Sequence, residues 1–92
     1  MSLLDLVSFA KRGKNRKKVF IALDKPMMPS ELVLKIYGKS SNTYFNLVSR
    51  ALSELKNKKL VKVVNPKERT GRLYKKTEKG LKVLKELEEI ER

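Results

Sequence analysis

The sequence contains no cysteine and no histidine, and its four glycines stand far apart. Without cysteine the chain cannot form a disulfide or offer a thiolate to a metal, and without histidine a structural zinc site would have only carboxylate ligands. The scattered glycines provide no glycine-rich loop for a nucleotide phosphate. We therefore expect that the protein holds neither a metal nor a cofactor.

The residues that usually build a catalytic site are also scarce. Aspartate occurs only at Asp5 and Asp24, and the one dense acidic group is the C-terminal segment ELEEIER, residues 86–92. Acid–base and nucleophilic catalysis most often uses His, Cys or paired carboxylates. Tyrosine and lysine are conceivable catalysts, but no constellation surrounds them. The sequence therefore predicts a protein that is not an enzyme.

Long apolar runs are missing too. None approaches the ~20 apolar residues that a transmembrane helix requires. The N-terminal segment MSLLDLVSFAKRGK places its apolar residues before its basic ones, which is the reverse of the order in a secretory signal. We expect a cytoplasmic, nucleoid-associated protein without a membrane-spanning segment.

Positive charge is what the sequence has in excess. It contains 23 Lys and Arg against 10 Asp and Glu, which gives a net charge of +13. Because the last seven residues hold four Glu and one Arg, the part before them carries a net charge of +16. A small basic body attracts polyanions, and nucleic acid is the first candidate. A solubility charge or the surface of a thermophile is the alternative, although thermophile surfaces balance Lys with comparable Glu.

The spacing of apolar residues predicts a mainly helical chain with one small β-hairpin, an α+β fold. Helical spacing recurs in five segments, at residues 3–10, 15–24, 29–38, 42–57 and 77–92. Between the last two, LVKVVN and RLYKK alternate with a period of about two and flank the turn PKERTG. This order of elements is that of a winged helix-turn-helix. It forms a single domain over residues 1–92, with N- and C-terminal helices flanking the core.

Capping residues mark the expected helix ends. Asn15, Ser30 and Thr77 are predicted N-caps of the second, third and fifth helices, and Gly38 is predicted to end the third helix. Only residues 38–41 separate the third helix from the fourth. Two helices joined by a short turn that contains glycine form a helix-turn-helix candidate.

The fourth helix, in NTYFNLVSRALSELKNKK, has two different faces. One stripe is apolar and is predicted to face the core: Phe45, Val48, Leu52 and Leu55. The opposite face collects short polar side chains around one arginine: Asn42, Thr43, Asn46, Arg50, Ser53 and Asn57. Solvated faces more often carry Glu, Lys and Gln, which are better helix formers. Asn and Arg instead match the hydrogen-bonding edges of adenine and guanine in the major groove.

We therefore predict that residues 41–57 read the major groove of DNA. The predicted contacts within this helix are Ser41, Thr43, Asn46, Arg50 and Ser53. Lys39 and Ser40 lead into its N-terminus, where free backbone N–H groups favour a phosphate. Asn42 alone is better explained as an N-cap. Leu47 lies between the two faces and either packs on the preceding helix or touches a thymine methyl group.

Two further segments are strongly basic. The hairpin loop, residues 66–72, carries Lys67, Arg69 and Arg72, and such a ribbon can contact the DNA backbone or the minor groove. A solvated loop is the alternative. The segment KRGKNRKK has six bases in eight residues, which opposes the dipole at a helix N-terminus. Neutralisation by phosphates and a solvated, frayed segment explain it equally well.

The segment SNTYFNLVSRALSELKNKKLVKVVNPKERTGRLYKKTEKG resembles the core of archaeal winged helix-turn-helix transcriptional regulators related to the MarR and ArsR types. The resemblance rests on VSRALSEL, on LVKVVNP returning through GRLYKKTEKG, and on SELVLKIYG, and it covers residues 15–80. It implies a homodimeric regulator of transcription that binds double-stranded DNA sequence-specifically. By the same resemblance, residues 41–56 form the reading helix and residues 66–72 the wing.

The chain departs from this family at two positions. Lys59 stands where a glycine is common, so the left-handed turn after the fourth helix must fall to Asn57 or Lys59. Lys76 stands where leucine is frequent, which puts the last inward contact of that strand in doubt. The chain also lacks the cysteines and histidines of metal-sensing relatives, so a thiolate metal sensor is not expected.

Association with a second copy is the expected supplement for so small a core. Residues 1–14 and 77–92 are the expected dimerisation helices, because proteins of the resembled family usually pair through their terminal helices. The predicted seam consists of Leu3, Leu6, Val7, Leu84, Leu87 and Ile90. Completion of the monomer core is the alternative for these residues. The alternative function is a structural binder of RNA, the ribosome or chromatin without sequence specificity.

Overall fold

The computed structural model describes residues 2–91. Over that range the elements are α1 (Leu3–Lys11), α2 (Lys14–Ala22), α3 (Pro29–Tyr37), α4 (Asn42–Asn57), β1 (Val61–Val63), β2 (Tyr74–Lys76) and α5 (Glu78–Ile90). The strands pair antiparallel, with Val61 opposite Lys76 and Val63 opposite Tyr74. The predicted α+β class, mainly helical with one small hairpin, is confirmed. Within residues 2–91 no helix combines the length and apolarity needed to cross a membrane.

The core forms around α2, which packs against α1, α3 and α4. Phe20 is the largest fully buried side chain, and it lies next to buried Val19 in the same helix. Every other helix and β1 contribute buried apolar side chains to this one cluster. Each fully buried Leu, Val or Phe side chain contributes about 1.5–3 kcal/mol, so the cluster is the main source of stability.

Two of the predicted N-caps do not form, because α2 and α3 begin at other residues. α2 begins at Lys14 after Gly13, whose φ is +76°, so Asn15 lies inside the helix and is not its cap. α3 begins at Pro29, which suits the first helical position because it has no N–H to leave unpaired. The carboxylate of Glu31 accepts a hydrogen bond of 2.9 Å from the backbone N–H of Met28. The predictions of Asn15 and Ser30 as caps are therefore wrong.

The caps around α4 and α5 are formed by side chains. Ser41 caps α4, with its hydroxyl accepting from the Tyr44 N–H at 3.1 Å, so Asn42 is the first helical residue and not the cap. Gly38 ends α3 in the left-handed conformation, as predicted. Thr77 caps α5, also as predicted, by accepting from the Gly80 N–H at 3.0 Å. These three residues fix the direction in which α4 and α5 leave their turns.

Lys59 takes the left-handed turn after α4, with a φ of +62°. Its N–H donates to the Lys56 carbonyl at 2.9 Å, and the Leu60 N–H donates to the Leu55 carbonyl at 3.0 Å. This pair of bonds is a Schellman motif, which satisfies two carbonyls at the helix end and brings Leu55 and Leu60 together in the core. A lysine in this conformation costs roughly 1–2 kcal/mol, which glycine would avoid.

α5 crosses the junction between α4 and β1 at very close range. The Thr77 N–H donates to the Leu60 carbonyl at 3.1 Å, and the Thr77 hydroxyl donates to the Lys59 carbonyl at 2.7 Å. A Cβ on Gly80 would overlap the Leu60 carbonyl oxygen and would lie 3.1 Å from the Leu60 carbonyl carbon. The absence of a side chain at Gly80 therefore sets the distance between α5 and the hairpin.

Half of the predicted dimer seam belongs to the core of one chain. α1 packs directly against α5, and Leu6, Val7 and Leu87 are buried there. These three residues cannot meet a second copy unless the core opens, so their assignment to a dimer seam is wrong. The inner stripe of α5 is formed by Val83 and Leu87. Of the predicted seam, Leu3 and Ile90 remain exposed and Leu84 remains half-buried.

Two lysines from other elements cap the C-terminus of α2. The ammonium of Lys76 donates to the Leu23 carbonyl, and that of Lys35 donates to the Ala22 carbonyl at 2.7 Å. Both cations sit at the negative end of the helix dipole. Lys76 is buried against Phe20, with its ammonium 5.2 Å from the ring centroid. Burial lowers the pKa of Lys76 to about 8.

Candidate nucleic-acid interface

The polar face of α4 is exposed along the whole helix. Four residues predicted to contact DNA lie at its surface: Thr43, Asn46, Arg50 and Ser53. Their separations of three or four residues place them on one stripe. The intramolecular bonds of this region use other side chains, namely the N-cap Ser41 and Glu54, which pairs with Arg16. The stripe therefore offers its donors and acceptors to a ligand.

The turn before α4 is held by two stacked tyrosines. Tyr37 at the end of α3 and Tyr44 in α4 lie with ring centroids 4.2 Å apart and planes within 3° of parallel. The Tyr37 hydroxyl donates to the Asn15 side chain at 2.8 Å, and burial raises the pKa of Tyr37. The turn is thus fastened to α2 as well as to its own helices.

The predicted contacts in this turn divide into two kinds. Lys39 and Ser40 are exposed, and the Lys39 ammonium lies 5.9 Å from the Tyr44 ring centroid. The Ser41 hydroxyl accepts the N-cap hydrogen bond, so its role is established inside the protein. A hydroxyl that accepts one hydrogen bond can also donate one, so Ser41 keeps a proton for a further acceptor.

The loop between β1 and β2 is pinned by one asparagine. The Asn65 side chain donates to the Gly71 carbonyl at 3.2 Å and accepts from the Leu73 N–H at 2.7 Å. Gly71 has a φ of +66°, which glycine adopts without strain. Asn65 thereby closes the loop on itself and holds its tip away from the core.

The three predicted cations of this loop have different surroundings. Lys67 and Arg69 are exposed. Arg72 is half-buried, and its Nε donates to the Glu68 carbonyl at 2.8 Å. Arg72 therefore supports the shape of the loop. Its terminal guanidinium N–H groups are left to bind a ligand. Lys67 and Arg69 carry the free positive charge at the tip.

A groove runs between α4 and this loop, with a cavity volume of about 330 Å³. Phe45, Ser49, Arg69 and Tyr74 are among its lining residues. Phe45 is 44% exposed, although the helical stripe predicted that it faces the core. The buried stripe of α4 begins only one turn later, at Val48. In the first turn of α4, Tyr44 packs against the core while Phe45 lies in the groove.

The opposite side of α4 faces the N-terminus of α2. Leu47 and Arg50 line a shallow groove together with Gly13 and Lys14. Leu47 therefore lies beside the N-terminus of α2. The first turn of α2 contains no acidic residue and no side-chain cap. Lys14 is exposed there, so positive charge flanks α4 on this side as it does on the loop side.

Arg16, a base of the KRGKNRKK segment, has a structural role. Arg16 donates to the Phe9 carbonyl at 2.8 Å, pairs with Glu54 at 3.3 Å, and lies 3.9 Å from the Phe9 ring centroid. It joins the end of α1 to α4 through α2. The sequence treated these bases as one group, whereas the fold assigns this one to packing and leaves its neighbour Lys14 at the surface.

Comparison with family models, with curated proteins and with solved structures finds no match to this chain. The inferred function therefore depends on the surface itself. A helix of 16 residues is about 24 Å long, and an α-helix fits the major groove of B-DNA, which is about 12 Å wide. An exposed stripe of Thr, Asn, Arg and Ser between two groups of cations has the chemistry of such a contact.

Proposed function

We propose that this protein is a winged helix-turn-helix regulator of transcription that binds double-stranded DNA sequence-specifically as a homodimer. In this proposal α3 and α4 are the helix-turn-helix, α4 reads the major groove, and the loop between β1 and β2 is the wing. The observation that carries the proposal is the exposed polar stripe of α4, which lies between Lys14 on one side and Arg69 on the other.

In this proposal the side chains of the stripe contact bases, and the cations around it contact phosphates. Arg50 pairs bidentately with guanine and Asn46 with adenine, and each good pair of this kind discriminates by about 1–3 kcal/mol. Thr43 and Ser53 donate to base edges or to phosphates beside them. The cations that remain free at the turn and the loop, Lys39, Lys67 and Arg69, neutralise phosphates and set the register of the helix.

Phe45 adds an apolar contact on the wing side of α4. Its ring is exposed in the groove that also contains Arg69. A DNA strand that passes between α4 and the wing would place a phosphate near the arginine. A sugar or a thymine methyl group would then lie near the ring. This arrangement explains why a large apolar side chain lies in the open beside a polar stripe.

The homodimer places two copies of α4 on one face of the DNA. Half-sites about 34–36 Å apart, one helical turn, would then be read by symmetric copies of the same stripe. Selection of bound sequences from a random DNA pool tests both parts, because a palindromic consensus requires reading and symmetry together. The selected site then serves for competition against random DNA and RNA over a range of salt concentrations.

Arg50→Ala is the decisive variant on that site. We expect an affinity loss of about 5- to 150-fold per half-site, with relaxed preference at one base pair of each, because one bidentate guanine contact per half-site is lost. Lys82→Ala, an exposed lysine of α5 outside the surface, is the matched control and should change affinity less than twofold. A uniform loss across all sequences would make Arg50 a phosphate contact. Equal affinity for specific DNA, random DNA and RNA would instead support the structural binder.

A further inference from the structure

The outer surface of α2 and α3 contains a lysine-rimmed apolar groove with a cavity volume of about 600 Å³. Its floor includes Ile21, which is 47% exposed, and Ile36. Four lysines surround this floor: Lys14, Lys17, Lys18 and Lys35. An exposed apolar floor within a ring of one charge is suited to an occupant that is itself apolar and acidic.

Two of these lysines already pair with carboxylates, which shows that the rim of the groove binds acidic side chains. Lys17 forms an ion pair with Glu91 at the end of α5, and Lys35 pairs with Asp24 at 3.0 Å. Lys18 instead points its ammonium toward the face of the Tyr37 ring, 5.8 Å from the centroid. Neither Lys14 nor Lys18 has a carboxylate partner within residues 2–91, so the groove retains uncompensated positive charge.

The chain carries a matching surface at the end of α5. Its C-terminal end carries Glu88, Glu89 and Glu91, which line a common concavity together with Lys85. Exposed apolar side chains accompany them on the same helix, since Leu81 is 55% and Ile90 51% exposed. The Lys17–Glu91 pair places this acidic surface next to the lysine groove within one chain.

We infer that these two adjacent surfaces form the homodimer interface, with the acidic end of α5 in one copy seated on the lysine groove of the other. Two copies that each carry a charge of +13 repel one another. A stable contact therefore has to bring opposite charges together locally, and the end of α5 is the dense acidic segment of the chain. Because both surfaces lie side by side, a two-fold axis pairs each with its complement twice and closes the dimer.

This arrangement replaces the predicted seam of terminal leucines. It keeps Ile90 and the half-buried Leu84 on the contacting helix and leaves Leu6, Val7 and Leu87 in the core. It also leaves the hairpin loop and the exposed stripe of α4 open, and Lys14, which lines both this groove and the shallow groove beside α4, lies at the border of the two surfaces. The inference rests on the proposed function only for its homodimer, and its test contains no DNA, so the two can fail independently.

Charge reversal of each surface tests the inference by sedimentation velocity or light scattering at micromolar concentrations. Lys14→Glu with Lys18→Glu reverses the groove, and Glu88→Lys with Glu89→Lys reverses the end of α5. Lys14 lies in the first turn of α2 and Glu88 and Glu89 lie in the last turn of α5, where the reversed charges suit the helix dipole, and Lys18 is exposed. The variants should therefore fold, and circular dichroism checks this. Lys62→Glu with Lys67→Glu, on exposed lysines of the hairpin, is the control with the same change in net charge as the groove reversal.

We expect a wild-type dimer that weakens as salt rises, and an increase of about tenfold or more in the dissociation constant for each reversed variant alone. An equimolar mixture of the two should restore the dimer, because all four reversed charges then meet opposite charges. The groove reversal lowers the net charge of each copy, so if only the overall repulsion between copies mattered, this variant would dimerise more tightly than the wild type. The control, which has the same net charge, should show that tighter association.

Three results would overturn the inference. One is a wild type that stays monomeric at about 100 µM, where mass action favours association; the groove would then belong to a different acidic partner. Another is unchanged dimerisation of either reversed variant. The third is a mixture that remains monomeric although both variants are folded.

Discussion

Gly80→Ala separates local helix preference from tertiary packing, because the two predict opposite signs. Alanine inside a helix is favoured over glycine by about 1 kcal/mol, so local preference predicts a more stable protein. In the structure, however, a Cβ at this position overlaps the Leu60 carbonyl oxygen and lies 3.4 Å from the Cβ of Lys76. The obstacle is backbone and cannot rotate away, so α5 has to retreat by roughly 1 Å.

The cost of that retreat follows from the bonds at the junction. The hydrogen bonds from the Thr77 N–H to Leu60 and from the Thr77 hydroxyl to Lys59 would weaken or break, at about 1 kcal/mol each. Overpacking strain adds about 1–3 kcal/mol. After subtraction of the gain in helix preference, we expect Gly80→Ala to lower the free energy of unfolding by about 2–4 kcal/mol. That is a large fraction of the stability of a small domain.

Urea unfolding followed by circular dichroism at 222 nm measures this difference. Gly38→Ala is the matched control, because Gly38 has a φ of +75° and a Cβ added there would meet no heavy atom within 4 Å. It should cost only about 1 kcal/mol, from the left-handed conformation alone. If Gly80→Ala is as stable as the wild type or more stable, the close packing of α5 on the hairpin is refuted.

Three further predictions concern single side chains. Lys59→Gly should raise the free energy of unfolding by about 0.5–1 kcal/mol, measured by the same urea series, because glycine relieves the left-handed turn and offsets its own entropic cost; a loss of stability would contradict the Schellman geometry. The folded-state pKa of Lys76 is about 8, below the ordinary lysine pKa of 10.5, so between these values the unfolded chain binds more protons and stability should rise with pH. Lys76→Met removes this contribution, and its stability relative to the wild type should fall by on the order of 2 kcal/mol between pH 7.5 and 10.5; parallel pH profiles would show that Lys76 is not the cause. Phe45→Ala should lower affinity for the selected DNA about tenfold while lowering stability by less than about 1 kcal/mol, because an exposed ring contributes little to the core; a stability loss comparable to that of a core residue would place Phe45 inside.

Local signals predicted much of the structure. The element order, the cap at Thr77 and the glycine that ends α3 all depend on residues within one helical turn of one another. The exposed stripe of Thr43, Asn46 and Arg50 was predicted for the same reason, since helical spacing alone separates it from the apolar face. A sequence contains these features directly because the interactions that produce them span only three or four residues.

The misassigned residues depend on neighbours that are distant in sequence. Phe45 lies outside because it faces the groove beside the hairpin loop, whereas Val48 one turn later is covered by the core. Leu6 and Leu87 lie inside because α1 and α5, at opposite ends of the chain, pack on each other. The DNA contact of Arg72 stays a prediction, but its Nε also bonds to its own loop, which depends on how that loop folds back.

Amino-acid composition and short-range pattern thus determined that this is a basic, mainly helical chain with a polar face on its fourth helix. Tertiary structure alone decided which apolar residues are covered and which cations are used internally. It also placed the acidic end of α5 beside a lysine groove on α2. Burial and charge pairing depend on which residues pack next to one another. Those neighbours are determined only when all the helices pack together around Phe20.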